Sequence, residues 1–285
     1  MIVDTHVHVV SDNREKYPPA DKAPAWPPTT GENLVALMDE AGIDHALLVQ
    51  SYFTYRYNNV YMMDVARAYP ERFLSVCVLD PLASTTPDML TYLVRRRGVR
   101  GVRLMNDRAH NIVSIDDPRT FPLWERIAAL DIPVCIASLI DDVSRLSVPL
   151  GRFPDVRVAI DHIWGLKVDA GPTFDRIRPV LELARHPNLY VKIAPNNSFA
   201  VREAKATPRD FYGLLVERFG AKRLMWGTNY PAHRDAYGSL KERMELGMQD
   251  LSFLDAQERR FVFGETALSL WPGLRRRQIE KETAS

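Results

Sequence analysis

Asp4, His6 and His8 stand at i, i+2 and i+4 near the start of the chain. A strand alternates its side chains between two faces, so this spacing predicts that all three point the same way. Two imidazoles set side by side can bind a divalent metal or an anionic oxygen. Arg103 and Lys192 interrupt apolar runs, Val102-Arg103-Leu104 and Tyr190-Val191-Lys192-Ile193. A charge inside such a run needs a partner, so each is expected either to pair with a carboxylate of the Asp161 kind or to face a ligand. The planar fork of Arg103 suits a carboxylate, which it can take through two hydrogen bonds. Asn106, Asn196, Asn197 and His233 follow apolar runs and are loop candidates for hydroxyl or carboxylate contacts. Aromatic residues crowd Tyr52-Phe53-Thr54-Tyr55-Arg56-Tyr57. With Trp26, Trp164 and Tyr230 they either wall a pocket for a flat or ring-shaped substrate or pack a loop onto the body.

Eight short β-branched or apolar runs would have to position these groups. They are Ile2–Val7, His45–Gln50, Phe73–Val78, Val99–Leu104, Ile132–Ala137, Val156–Asp161, Leu189–Ile193 and Arg223–Gly227. Helical patterns separate them. Leu34, Leu37, Met38 and Ala41 recur at i, i+3, i+4 and i+7, with Thr30 placed to cap the start and Gly42 the end. Further helices are expected at Asn59–Tyr69, Pro87–Arg97, Phe121–Leu130, Asp142–Leu150, Phe174–His186 and Pro208–Phe219. Strands apolar at nearly every position are covered on both faces, as parallel strands crossed over by helices must be. Eight such units predict an α/β fold, a closed (β/α)8 barrel forming one domain over 1–285. A long Pro-rich loop would follow strand 1 at about 11–30, and a C-terminal helix and tail would occupy about 255–285. Chemistry in such barrels sits at the C-terminal ends of the strands, where these candidate residues fall.

Lys plus Arg number 37 and Asp plus Glu 36, so there is no charge surplus to attract nucleic acid or a membrane surface. The two cysteines, Cys77 and Cys135, lie in apolar runs and read as core thiols of a reducing compartment. The N-terminal residues carry no basic and apolar secretory pattern, and no stretch reaches the roughly 18 apolar residues of a membrane span. The expectation is a soluble, cytoplasmic protein acting on a small molecule. Arg95-Arg96-Arg97 ends a predicted helix, where cations meet the dipole favourably, and Arg275-Arg276-Arg277 lies in a polar tail.

Taken together, Asp4-Thr5-His6-Val7-His8, Val102-Arg103-Leu104, Asp161-His162, Tyr190-Val191-Lys192, Met225-Trp226-Gly227-Thr228-Asn229-Tyr230-Pro231 and Phe263-Gly264-Glu265-Thr266-Ala267 resemble the amidohydrolase superfamily. The likeness is to its amidohydrolase-2 branch, which includes 2-pyrone-4,6-dicarboxylate lactonase and sugar lactonases, and runs from residue 1 to about 271. It implies a hydrolase that opens a lactone or similar cyclic ester or amide of a small, anionic substrate by water attack, and a homodimer as a common assembly. Metal-dependent decarboxylases and hydratases of the branch are the alternative. Metal-binding relatives place an Asp at the end of strand 8 and often a His at the end of strand 5; here Asn229 and Ser138 stand there. An amide lacks the basic lone pair of a carboxylate and cannot be the general base. The remaining ligand set, His6, His8 and His162, could still hold zinc. The dicarboxylate lactonase branch works without metal. On that precedent His6, His8 and Asn229 would polarise the carbonyl, and His162, with an ordinary pKa of about 6.5, would activate water. Tyr52, Arg103, Asn106, Trp164, Lys192, Asn196 and His233 would bind substrate. A silent, ligand-binding barrel is the remaining reading, on the strength of Asn229.

Overall fold

The computed structural model describes residues 1–106, 114–166 and 174–274; Arg275, Arg276 and Arg277 lie outside them. Eight strands, β1 (Val3–Val7), β2 (His45–Val49), β3 (Phe73–Val78), β4 (Gly101–Asn106), β5 (Val134–Ser138), β6 (Val158–Ile160), β7 (Leu189–Ile193) and β8 (Leu224–Trp226), run parallel in chain order. The chain after β8 pairs back onto β1. The Asn229 amide donates to the His6 carbonyl (2.8 Å) and the His8 amide to that of Tyr230 (2.7 Å). The fold is a (β/α)8 barrel. Gly227 permits this closure, because a Cβ there would stand 2.9 Å from the His6 Cβ.

One feature of β1 corrects the period-two reading. Val3 pairs with His45 and Asp4 with Ala46, but Val7 pairs with Leu48, so β1 carries one extra residue, a bulge. Val3 faces the barrel interior with Leu47, Val49, Val76, Cys135 and Met225. Beyond the bulge the parity is reversed. Val7 packs outward with Leu48, and His6 and His8 turn inward. Asp4 does not share their face. Its Oδ1 accepts the His6 and Thr228 amides (3.0 and 2.9 Å), and Oδ2 accepts the Thr228 hydroxyl, which clamps the bulge to the end of β8.

The bottom of the barrel is closed by apolar packing. Trp271, Leu268, Leu270 and Leu274 from the C-terminal segment seal the layer formed by Val3, Leu47, Leu74, Val76, Ala159 and Met225, and Trp271 Nε1 donates to the Arg100 carbonyl at 3.1 Å.

The helices are α1 (Gly31–Glu40), α2 (Tyr52–Tyr55), α3 (Val60–Ala68), α4 (Thr86–Arg97), α5 (Phe121–Leu130), α6 (Ser147–Arg152), α7 (Arg178–Glu182), α8 (Pro195–Glu203), α9 (Pro208–Phe219), α10 (Arg234–Tyr237), α11 (Leu240–Asp250), α12 (Ala256–Arg260) and α13 (Thr266–Leu270). Two expected helices are broken. Ile140–Leu146 winds as 3₁₀ before α6, and Asp175–Ile177 and Leu183–Arg185 flank α7 in the same form. Pro149 and Pro179 explain part of this, since proline withholds a donor from the ladder. The segment 11–30 is an irregular loop pinned by an antiparallel bridge between Val10 and Thr29. Cys77 and Cys135 are buried free thiols. Among the described residues no helix is long and apolar enough to cross a membrane.

Candidate active site

The strand ends open into a cavity of about 320 Å³. His8, Arg103, Asp161, His162 and Asn229 are among its lining residues, with Trp26, Tyr52, Phe53 and Trp164 on its walls. Asn196 and His233 stand nearer its rim, in the segments after β7 and β8.

Three imidazoles converge beneath this opening. The His6 ring centroid lies 4.8 Å from that of His8 and 4.1 Å from that of His162. Burial is the main cause that keeps all three neutral. It holds His6 well below its ordinary value, with the neighbouring His162 adding to the effect. It carries His8 down to about 4, with Arg103 contributing, and His162 down to about 3 against the pull of Asp161. His162 sits in the left-handed region (φ +60°), as do Asn229 (+53°) and His233 (+52°). Asn and His tolerate that region better than most residues. The His162 carbonyl is held by the side-chain amides of Asn196 (3.1 Å) and Asn197 (2.5 Å) from the first turn of α8. Neither nitrogen of the His162 ring has a partner among the described residues.

His8 has its tautomer imposed. Its Nδ1 lies 2.7 Å from the Val49 carbonyl, which can only accept, so Nδ1 carries the proton and Nε2 presents a lone pair. Asn229 Oδ1 is set 3.2 Å from that lone pair. Two acceptors do not bond, and the pairing is satisfied with the carboxamide turned half a rotation, its NH₂ donating to Nε2 and its oxygen facing the cavity. The β8 loop carrying Asn229 is fixed by buried Arg243 on α11. This guanidinium donates to the carbonyls of Thr228, Asn229, Ala232 and Gly238 at 2.8 to 3.1 Å.

Asp161 is the charged hub. Arg103 Nε donates to its Oδ2 at 2.8 Å, while Lys192 Nζ lies 3.1 Å and His6 Nδ1 3.4 Å from its Oδ1. Burial pushes this carboxylate up, but the Lys192 and Arg103 cations outweigh it and hold Asp161 well below the usual range. The Nη nitrogens of Arg103 have no partner among the described residues, and the side chain lines the cavity.

Two expected ligand contacts are placed elsewhere. Lys192 is wholly buried below the cavity, where Nζ also meets Cys135 Sγ at 3.0 Å. Asn106 is buried too, donating to Ser138 Oγ (2.9 Å) and accepting the Ile115 amide (3.0 Å), which ties β4 to β5. Phe199, Glu203 and Tyr237 line the rim unforeseen. Phe199 stacks on Tyr237 with centroids 4.9 Å apart. The i, i+4 pair Phe199 and Glu203 just after strand 7 was the available signal.

The donor set does not fit a divalent metal. No group of three or more His, Cys, Asp or Glu side chains among the described residues is arranged to hold one. The carboxylate that would balance its charge is already engaged by two cations, and a divalent ion beside them would meet like charge in a low-dielectric interior.

A parallel eight-stranded barrel whose mouth gathers imidazoles, a carboxylate and a guanidinium is the architecture of a barrel enzyme with its chemistry at the strand ends. The family model for amidohydrolases matches residues 3–273, and the chain belongs to that family. Among proteins it resembles is an L-fucono-1,5-lactonase of Burkholderia ambifaria, 26% identical over 223 residues that span 73% of this chain and 75% of the relative. Solved structures that share the fold include two from the same kind of barrel. One, described as a probable 2-pyrone-4,6-dicarboxylic acid hydrolase from Acinetobacter baumannii with citric acid bound, is 21% identical, covers 95% of this chain and 99% of its own, and has a TM-score of 0.77. The other is an amidohydrolase from Burkholderia multivorans with bound zinc, 19% identical, with coverage of 95% and 99% and a TM-score of 0.75.

Proposed function

We propose that the protein opens the ring of a small lactone by water attack, with His162 as the proton acceptor and no metal step. The supporting observation is that His162 lines the cavity while both of its ring nitrogens, themselves buried, have no hydrogen-bond partner among the described residues. His6 is sealed beneath the cavity, and His8 is committed to Val49 and Asn229.

The chemistry follows from what each group can do. A water between His162 and the Asn229 oxygen is oriented by that acceptor and gives its proton to the neutral imidazole as its oxygen attacks the carbonyl carbon. The negative charge moves onto the carbonyl oxygen, where the Nη nitrogens of Arg103 meet it with charged hydrogen bonds. The imidazolium formed at His162 is countered by this oxyanion and by Asp161. It then protonates the ring oxygen as the C–O bond breaks, leaving a hydroxy acid. At about 3, His162 is a weak base in the resting site, so the proton transfer depends on the oxyanion appearing with it. The L-fucono-1,5-lactonase likeness supports a sugar-type lactone, and Arg103 supports one bearing an acidic group; the aromatic walls suit the ring of either.

A panel of aldonolactones and pyrone or furanone carboxylates, followed by pH-stat, tests this. At least one is expected to turn over, with the rate falling by about 10²–10⁴ in His162→Ala. A silent panel, or a rate that survives His162→Ala, contradicts the proposal.

A further inference from the structure

We propose that Lys192 supplies a fixed, buried positive charge that makes the floor of the site an anion-stabilising centre, reaching the reaction only through Asp161 and Arg103. Lys192 is fully buried on β7, its Nζ held between Asp161 Oδ1 (3.1 Å) and Cys135 Sγ (3.0 Å) and 5.8 Å from the centre of the Trp271 ring on the floor. Asp161 is shared between Lys192 and Arg103, so one carboxylate faces two cations. The other titratable groups in contact do not redress this, since burial keeps His6, His8 and His162 neutral and raises the Cys135 thiol to about 11. Asp4 is turned away toward Thr228, and Glu203 stands at the rim. One positive charge is therefore uncompensated beneath the cavity among the described residues.

Lys192 and Asp161 are fully buried, so the charge is poorly screened and is in place before any oxyanion forms, which is what electrostatic stabilisation requires. The pairing also aims Arg103. With Oδ2 of Asp161 holding Nε, the Nη nitrogens are left for the cavity. Lys192 is not among the residues that line the cavity, which makes it a positioning residue.

The inference extends the lactonase reading to the floor of the site, but its test needs no turnover. Citrate serves as the probe, since a structure of this fold holds citric acid. Its affinity is measured by calorimetry for wild type, Lys192→Met, Asp161→Asn and the paired variant, each checked for folding by circular dichroism. The floor would carry no net charge in Lys192→Met, an extra positive charge in Asp161→Asn, and the wild-type charge in the pair. Citrate affinity is expected to fall about tenfold in Lys192→Met, to rise by a similar factor in Asp161→Asn, and to stay near wild type in the pair. A merely structural role predicts the opposite for Asp161→Asn, because removing one partner of a buried pair weakens the site. Loss of affinity there, or no citrate binding by the wild type, overturns the inference. Should Lys192→Met not fold, Asp161→Asn alone decides. On a lactone that turns over, Lys192→Met is expected to lower kcat/KM about 10²-fold.

Discussion

Asn229 and His8 form a pair in which each side chain dictates the other. The His8 proton is held by Val49, so position 229 must offer a donor to Nε2, and an amide does this where a carboxylate cannot. An aspartate there would set a negative charge against a lone pair unless a proton or cation came between. Asn229→Asp keeps the backbone, because Asp also accepts the left-handed conformation. At pH 7 the variant is expected to lose tenfold or more in kcat, with the His8 titration seen by NMR moved upward. A gain of about 10²–10⁴ would show instead that the amide is a disabled base. The same residues set a pH dependence of stability. His8 titrates at about 4 folded against about 6.5 unfolded, so the unfolded chain binds the extra proton in that window. Its contribution, roughly 3 kcal/mol, is complete above pH 6.5 and lost as the pH falls toward 4, and His162 carries the loss on to about 3. Asp4 opposes them. Burial raises it to about 6, so it favours the folded state as the pH drops from 6 toward 4. Urea unfolding of His8→Gln between pH 6.5 and 4 is expected to show a shallower acid loss than wild type; an unchanged slope would contradict the assignment.

At the scale of elements, the side chains proposed for catalysis depend on segments outside the strands that carry them. α8 fixes the His162 carbonyl through two asparagines, and α11 fixes the Asn229 loop through Arg243. Arg243 is fully buried, and burial lowers it to about 10, yet its hydrogen bonds all go to backbone carbonyls. Charged hydrogen bonds of this kind contribute about 1.5–3 kcal/mol each. Arg243→Met is expected to cost about 3 kcal/mol in chemical denaturation and to lower kcat about tenfold, because the Asn229 carboxamide loses its alignment. Full activity with lowered stability would place Arg243 outside catalysis. Helices such as Phe121–Leu130 and Pro208–Phe219 were legible to the residue, through apolar spacing and a proline in the first turn. α8 was not. Pro195-Asn196-Asn197 has the composition of a loop, and only in three dimensions does Asn197 Oδ1 accept the Ala194 amide and start a helix. The β1 bulge was equally hidden, because a bulge is a property of pairing with β2 and leaves Asp4-Thr5-His6-Val7-His8 looking like strict alternation.

For the molecule as a whole, the barrel was readable because eight buried parallel strands leave eight apolar runs, and the site was readable because barrels place their chemistry at strand ends. What could not be read was the direction of each charge. Lys192 and Arg103 both interrupt apolar strands, and only the shared Asp161 shows that one lies under the cavity while the other lines it, its Nη nitrogens without a partner among the described residues. The rim was set by chain segments far apart in sequence, as Phe199 and Tyr237 illustrate. The buried cations, the Asn229 amide and the three neutral imidazoles all bear on one question, whether water attack here proceeds without a metal ion. The direct measurement is kcat/KM on a responding lactone after exhaustive chelation, with residual metal determined by mass spectrometry, and again after adding one equivalent of zinc. Undiminished activity in the metal-free protein, with no gain from zinc, is expected. Activity that disappears with the metal and returns with zinc would contradict it.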